Sequence, residues 1–179
     1  LFTQAGERTK ALDLCVLHDL RLTEEMAEVM LPPLGAPGAE DEAARQVLLA
    51  KVAKCCKRQG NYHLACKKYT QAGDKVKAMK CLLKSGDTAK IIYFAGVSRN
   101  RDIYILAANY LQTLDWKADP EIVKNIVQFY TKAKSLELLS SFFDSCAQVE
   151  IDDYRDYEKA LAALKESHEW LTKSRDAQK

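Results

Sequence analysis

The chain has 179 residues, of which 47% are hydrophobic, and 27 basic against 25 acidic residues leave a net charge of +2. That length suits one compact domain or one stretch of a larger array, with enough apolar residues for a continuous core. No apolar run is long enough to span a bilayer. The six cysteines, two of them adjacent at Cys55 and Cys56, do not have the spacing of a small secreted disulfide framework and fit a reducing, cytosolic compartment.

The first residue is Leu1, and no basic-then-apolar leader follows it, so we expect a piece of a longer protein whose natural start has been removed. Residues 4–12 read QAGERTKAL, and residues 71–79 read QAGDKVKAM, 67 positions later. Such self-similarity is the mark of a repeat architecture. A first hairpin is expected over 1–30, with a helix near 23–31. LPPLGAPGAE at 31–40 holds three prolines and two glycines, which cannot continue a helix, so it reads as a surface loop. A long helix should follow from about 41 to 59.

Gly60, Gly73 and Gly86 are spaced by 13 residues, and each precedes Asn or Asp: Asn61, Asp74 and Asp87. Glycine adopts the left-handed conformation that closes a helix, and an Asn or Asp side chain caps the next one. Each pair is therefore a stop followed at once by a start, which joins short helices by tight turns and makes neighbours antiparallel. Between the stops the apolar residues have helical spacing: Tyr62, Ala65, Cys66 and Tyr69, then Met79, Leu82 and Leu83, then Ile91, Phe94 and Ala95. A cleaner stripe runs through Ile103, Leu106, Ala107, Tyr110, Leu111 and Leu114.

Asp119 and Pro120 form a cap and a first-turn proline, opening a helix striped by Ile122, Ile126, Phe129 and Tyr130. Ser135 is the expected cap of another, with Leu136, Leu139, Phe143 and Cys146 on its face. A long terminal helix is expected over roughly 152–177, striped by Tyr154, Tyr157, Leu161, Leu164, His168 and Leu171. The acids Glu150, Asp152, Asp153 and Asp156 read as the acidic start of that helix rather than as a metal site.

One hairpin cannot bury its apolar face alone, so hairpins must stack. The expected fold is all-α: a right-handed α-solenoid of antiparallel helix hairpins, tetratricopeptide-like with degenerate repeats, ending in a long C-terminal helix. The whole of 1–179 reads as a single solenoid fragment. It divides into the 1–30 hairpin, the 31–40 loop, stacked hairpins over 41–149 and the terminal helix over 150–179.

Little here points to catalysis. His18, His63 and His168 fall on three separate predicted helices, and no phosphate loop, nucleophile elbow or zinc-protease motif is present. Cys55, Cys56, His63, Cys66 and Cys81 are close in sequence but lack a Cys-x-x-Cys pair, and adjacent helical cysteines diverge by about 100°. They read as small packing residues. No enzyme activity, cofactor, metal or small-molecule substrate is expected.

The most distinctive surface feature is charge. Residues 51–90 carry eleven Lys or Arg against Asp74 and Asp87 alone, whereas 144–179 hold nine acids against six bases. A solvated face, docking of an acidic partner helix or tail, and binding of nucleic acid or anionic lipid all remain open for this block. Tyr62 and Tyr69 lie on the apolar stripe, and no repeat-by-repeat set of base-reading residues is visible, which weighs against RNA. Lys57, Arg58, Lys67, Lys68, Lys75, Lys77 and Lys84 are the candidate partner-facing residues.

The strings CCKRQGNYHLACKKYTQAGDKVKAMKCLLKSGD, SRNRDIYILAANYLQTLDW and IVQFYTKAKSLELLSSFFDSCAQVEIDDYRDYEKALAAL resemble the C-terminal helical-repeat region of the intraflagellar transport protein 140 family, subunits of intraflagellar transport complex A. The resemblance covers roughly residues 50–165. It implies a non-enzymatic scaffold in retrograde ciliary transport and ciliary membrane-protein import, at the cytoplasmic side of the cilium or flagellum and basal body. The implied partners are other complex A subunits, of the 122 and 144 kDa types. The rival readings are a generic tetratricopeptide-like adaptor for peptides or cargo tails and a lipid or nucleic-acid binder. Self-association through a cut solenoid end near Leu1 and Phe2 is a further expectation.

Overall fold

A computed structural model describes residues 5–18, 20–31 and 39–177. The expected 31–40 loop and the chain end at Leu1 and Phe2 fall largely or wholly outside them. Among the described residues ten α-helices follow one another, with no strand. They are α1 (Ala5–Leu17), α2 (Glu24–Val29), α3 (Ala39–Arg58), α4 (Tyr62–Gln71), α5 (Lys75–Ser85), α6 (Thr88–Ser98), α7 (Arg101–Leu111), α8 (Pro120–Lys132), α9 (Leu136–Val149) and α10 (Tyr157–Ala177). A π-helical turn, Glu150–Tyr154, lies between the last two.

The glycine stops behave as helix-ending physics requires. Gly60, Gly73 and Gly86 have φ of 75°, 80° and 71°. The residues after them restart the helix: Asn61 accepts from the Leu64 amide, Asp74 from Lys77 and Asp87 from Lys90, at 3.4, 2.9 and 3.1 Å. Asp119 caps α8 by accepting from the Glu121 amide at 2.9 Å, with Pro120 in the first turn.

The chain forms two compact units, Leu1–Phe94 and Ala95–Lys179. In the first, α4 packs against both α3 and α5, and α1 packs on α3. Its core mixes Leu49, Val52, Leu64, Met79 and Leu82 with many small side chains: Ala53, Cys55, Cys56, Ala65, Cys66, Ala78 and Cys81. Small residues at these contacts let helix axes approach closely. All six cysteines are unbridged.

In the second unit α7 packs on α8, α8 on α9 and α9 on α10. Its core is larger in grain. Tyr104 stacks on Phe129 at 5.8 Å, and Trp116 meets Phe142 edge-on at 5.3 Å. The hydroxyl of buried Tyr130 donates to Asn109 at 2.6 Å and accepts from Gln112, so its polar end is satisfied at the edge of the core.

Four details depart from the sequence expectations. Ser135 stands at the N-cap of α9, but its hydroxyl is buried and makes no cap bond. The side chain at the core of α9 is Phe142, fully buried, while Phe143 is half-exposed. The terminal helix starts at Tyr157, after Arg155 turns left-handed at φ 54°. Moreover, Tyr154, Tyr157, Leu161 and Leu164 are exposed, and the buried line of α10 is Ala160, Ser167 and Ser174. Ser167 shares a 2.9 Å hydrogen bond with Ser140 of α9. Short side chains bring the two helices together, and the bulky stripe is left outside.

Candidate interaction groove

The basic block does not form one uniform surface. Lys67 and Lys68 turn toward α2, where they pair with Glu24 and Glu28, one helical turn apart. The Lys68 side chain is completely buried, while Glu28 is half-exposed. Adjacent Gln59 donates to the Leu20 carbonyl at 2.7 Å and accepts from the Leu22 amide at 2.9 Å. These contacts fasten the segment before α2 and α2 itself to the first unit. Thr23 caps α2, accepting from the Met26 amide at 3.2 Å. Lys68 is therefore an internal structural cation rather than a free partner-facing one. Lys75 is exposed at the start of α5 but lies outside the groove described next.

The other four candidates converge. Lys57, Arg58, Lys77 and Lys84 line an open groove of about 950 Å³ across α3, α4 and α5. Lys51, Lys54 and Lys80, which sequence reasoning did not select, line it too. The apolar part is Val47, Ala50, Tyr62 and Tyr69, and none of the lining side chains is acidic. Val47 is 58% exposed, so a large hydrophobic side chain is presented inside a ring of cations. Tyr69 is almost fully buried and Tyr62 half-buried.

Two ridges carry the charge. Lys51, Lys54 and Arg58 are spaced i, i+3, i+7 along α3, and Lys77, Lys80 and Lys84 have the same spacing along α5. Residues so spaced stack on one side of a helix. Of the seven cations, only Lys77 has a carboxylate partner among the described residues: Asp74, at 2.7 Å. Burial pushes the Asp74 carboxyl up, but bonds from the Lys77 side chain and amide, with the charges of Lys77 and Lys80, outweigh it and hold its pKa below the usual value. Under the ridges, burial raises the Cys81 thiol pKa while the charges of Lys57 and Lys84 pull against it.

A signal for the missed lysines is present in the sequence. Lys51, Lys54 and Arg58 lie nine, six and two residues before Gly60, and Lys77, Lys80 and Lys84 lie nine, six and two before Gly86. The cations occupy equivalent places in successive helix pairs.

Residues 1–129 match the tetratricopeptide-repeat domain family shared by intraflagellar transport proteins 140 and 172. The chain belongs to that family. Residues 137–179 match in turn the C-terminal tetratricopeptide-repeat domain of intraflagellar transport protein 140. This is therefore a C-terminal tetratricopeptide-like region of the transport protein 140 type, and its fold class is the all-α solenoid. Such repeats are generally non-catalytic scaffolds, and a smaller cavity of about 230 Å³ in the second unit is lined by Arg101, Lys134, Ser135, Glu137 and Ser174. His18, His63 and His168 are exposed on separate elements. Among the described residues no three His, Cys, Asp or Glu side chains are grouped to hold a metal ion. None of the described helices is long and apolar enough to cross a membrane. Three of the acids after α9 are engaged by other side chains or amides: Asp153 accepts from Lys117, Asp152 from Gln148, and Asp156 from the Lys159 amide, at 2.7, 2.8 and 3.0 Å, while Glu150 Oε2 is buried without a hydrogen-bond partner among the described residues.

Proposed function

We propose that this region is a non-catalytic scaffold segment of intraflagellar transport complex A. It mediates subunit assembly for retrograde ciliary transport and for import of membrane proteins into the cilium. Its place is the cytoplasmic side of the cilium or flagellum and the basal body, and its partners are other complex A subunits, of the 122 and 144 kDa types. The observation that carries this reading is the pair of consecutive family matches, 1–129 and 137–179, which leaves almost none of the chain outside repeats of the transport protein 140 type. The mechanism is additive: packed helix pairs present a long surface, and a few anchors among many weak contacts supply most of the binding. A second reading, capture of a peptide or tail, is favoured by the groove over α4.

Crosslinking mass spectrometry on the intact assembly tests the scaffold role. Lysines of this region, Lys124 and Lys165 among them, should crosslink to other complex A subunits. A region that crosslinks to no other subunit while the rest of its protein does would overturn the proposal.

A further inference from the structure

The geometry points to a specific occupant for the groove over α4: a short amphipathic acidic helix of a partner protein. Its apolar face meets Val47 and Tyr62, and its Asp or Glu residues flank that face to meet the ridges of α3 and α5. The inference deepens the scaffold reading and rests on it for the kind of partner, another protein of the same assembly.

Size is the first argument. Residues i to i+7 of a helix span about 10 Å, so each ridge offers cations along roughly two turns. Two turns of a helix about 10 Å wide occupy about 900 Å³, and an open groove of about 950 Å³ is large enough to seat them. Charge is the second. Seven cations share one concavity, and Asp74 is the sole carboxylate paired with any of them among the described residues. Gathering like charges with so little internal compensation is unfavourable for the free protein, and a complementary anion relieves it. The repetition of the pattern before Gly60 and Gly86 sets acids at i, i+3 or i+4, and i+7 on either flank of the ligand.

The apolar floor is the third argument, and it selects protein over the other polyanions. A planar bilayer surface can meet the exposed cations of the ridges but presents no projecting apolar stripe to the floor between them. Single-stranded RNA needs exposed ring faces on which bases stack. Here Tyr69 is only 5% exposed, and the accessible floor is Val47, Ala50 and part of Tyr62. An apolar stripe flanked by carboxylates is what an amphipathic helix lays into such a groove.

The test uses the 179-residue chain and fluorescence anisotropy. The probe is a labelled three-turn peptide with Leu and Phe on one face and Glu on both flanks, compared with a scrambled peptide of the same composition. The amphipathic peptide should bind, with affinity falling as salt rises. The scrambled peptide should bind about tenfold more weakly, and Lys54→Glu with Lys80→Glu should weaken the amphipathic peptide by at least about tenfold. The milder pair Lys54→Gln with Lys80→Gln should move affinity the same way by less, and Lys165→Glu should leave it unchanged. Equal binding of the scrambled peptide, or indifference to both groove pairs, overturns the inference. So does groove-dependent binding of oligouridylate or phosphatidylserine vesicles in place of the peptide, or a groove-dependent dimer by light scattering. Peptide binding that fails while the region still crosslinks to complex A subunits removes this occupant and leaves the scaffold. Peptide binding that succeeds without such crosslinks does the reverse.

Discussion

The two units end their helices with the same geometry and different chemistry. In the first, the left-handed residue is glycine. In the second it is Arg99, Lys134 and Arg155, with φ of 48°, 53° and 54°. The residue after each is again Asn, Ser or Asp: Asn100, Ser135 and Asp156. At Lys134 the closing hydrogen bonds coincide as well, whereas the Asp156 amide after Arg155 reaches one residue further back, to the Glu150 carbonyl at 2.9 Å. The Asn61 amide reaches the Cys56 carbonyl at 2.9 Å and Asp74 reaches Tyr69 at 2.9 Å, while Ser135 reaches Tyr130 at 3.0 Å. These are the six-to-one bonds of a Schellman motif. The comparison teaches that packing and the closing bonds dictate the left-handed turn, and that glycine is only the least costly way to make it. The units differ inside too. The first buries a cation, Lys68, and the second buries a neutral polar side chain, Tyr130, whose hydroxyl bonds outward to half-buried Gln112 and exposed Asn109.

The largest expected effect acts on both units at once. Burial, with lesser help from neighbouring Cys55, pushes the Cys56 thiol up to about 11, and burial, aided by Glu150, takes the Cys146 thiol to about 11. An unfolded thiol ionises at about 8.5. Between those values the folded chain holds protons that the unfolded chain has lost. The associated stability is thus fully present below the unfolded pKa and is lost as pH rises toward about 11. Urea denaturation across alkaline pH should show a falling midpoint. Cys56→Ala and Cys146→Ala should each remove one proton from that slope; an unchanged slope in both would contradict the burial argument.

The next effect belongs to the first unit alone. Glu28→Ala leaves the Lys68 ammonium buried without its partner, at a cost of about 2 kcal/mol, below the usual figure for a buried pair because Glu28 is half in water. Lys68→Met, which removes the charge and keeps the stem, should be near neutral and should rescue Glu28→Ala in the double variant. The readout is the denaturation midpoint. Failure of that rescue would mean that Glu28 supports α2 in some way other than pairing.

These contrasts also mark what the sequence discloses. The Gly-Asn and Gly-Asp stops are legible because glycine advertises its torsion. The stop at Arg155 is not, since arginine rarely adopts it, and so the sequence pattern places the terminal helix from about 152 rather than from Tyr157. Its exposed stripe misleads for another reason. Tyr157, Leu161 and Leu164 have core-like spacing, but contact with α9 is made through Ala160, Ser167 and Ser174, where closeness matters more than bulk. In the groove, charge is visible in the sequence and direction is not. Lys67 and Lys68 lie one or two positions before Tyr69 of the groove floor, yet a shift of one or two positions turns a side chain by about 100° or more around the helix. Lys54 and Lys80 are readable only from their register to Gly60 and Gly86.

Smaller effects test the stops themselves. Gly73→Ala should cost about 1 kcal/mol. A Cβ at Gly73 meets nothing within 4 Å, so the loss would come from torsion alone and not from a clash. A loss much greater than this would mean that the turn is also needed for close packing.

The reciprocal change, Lys134→Gly, should be the smallest and of opposite sign. Relief of the left-handed torsion is worth about 1–2 kcal/mol. Glycine also gives the unfolded chain more freedom, which takes back about 0.5–1 kcal/mol. The net expectation is a gain of about 0.5 kcal/mol. The closing bond from the Ser135 amide to Tyr130 should persist, so hydrogen exchange at that amide should slow slightly or stay constant. A destabilised variant with faster exchange there would show that the Lys134 side chain holds the turn through contacts of its own. The two units would then close their helices by different physics despite their shared geometry.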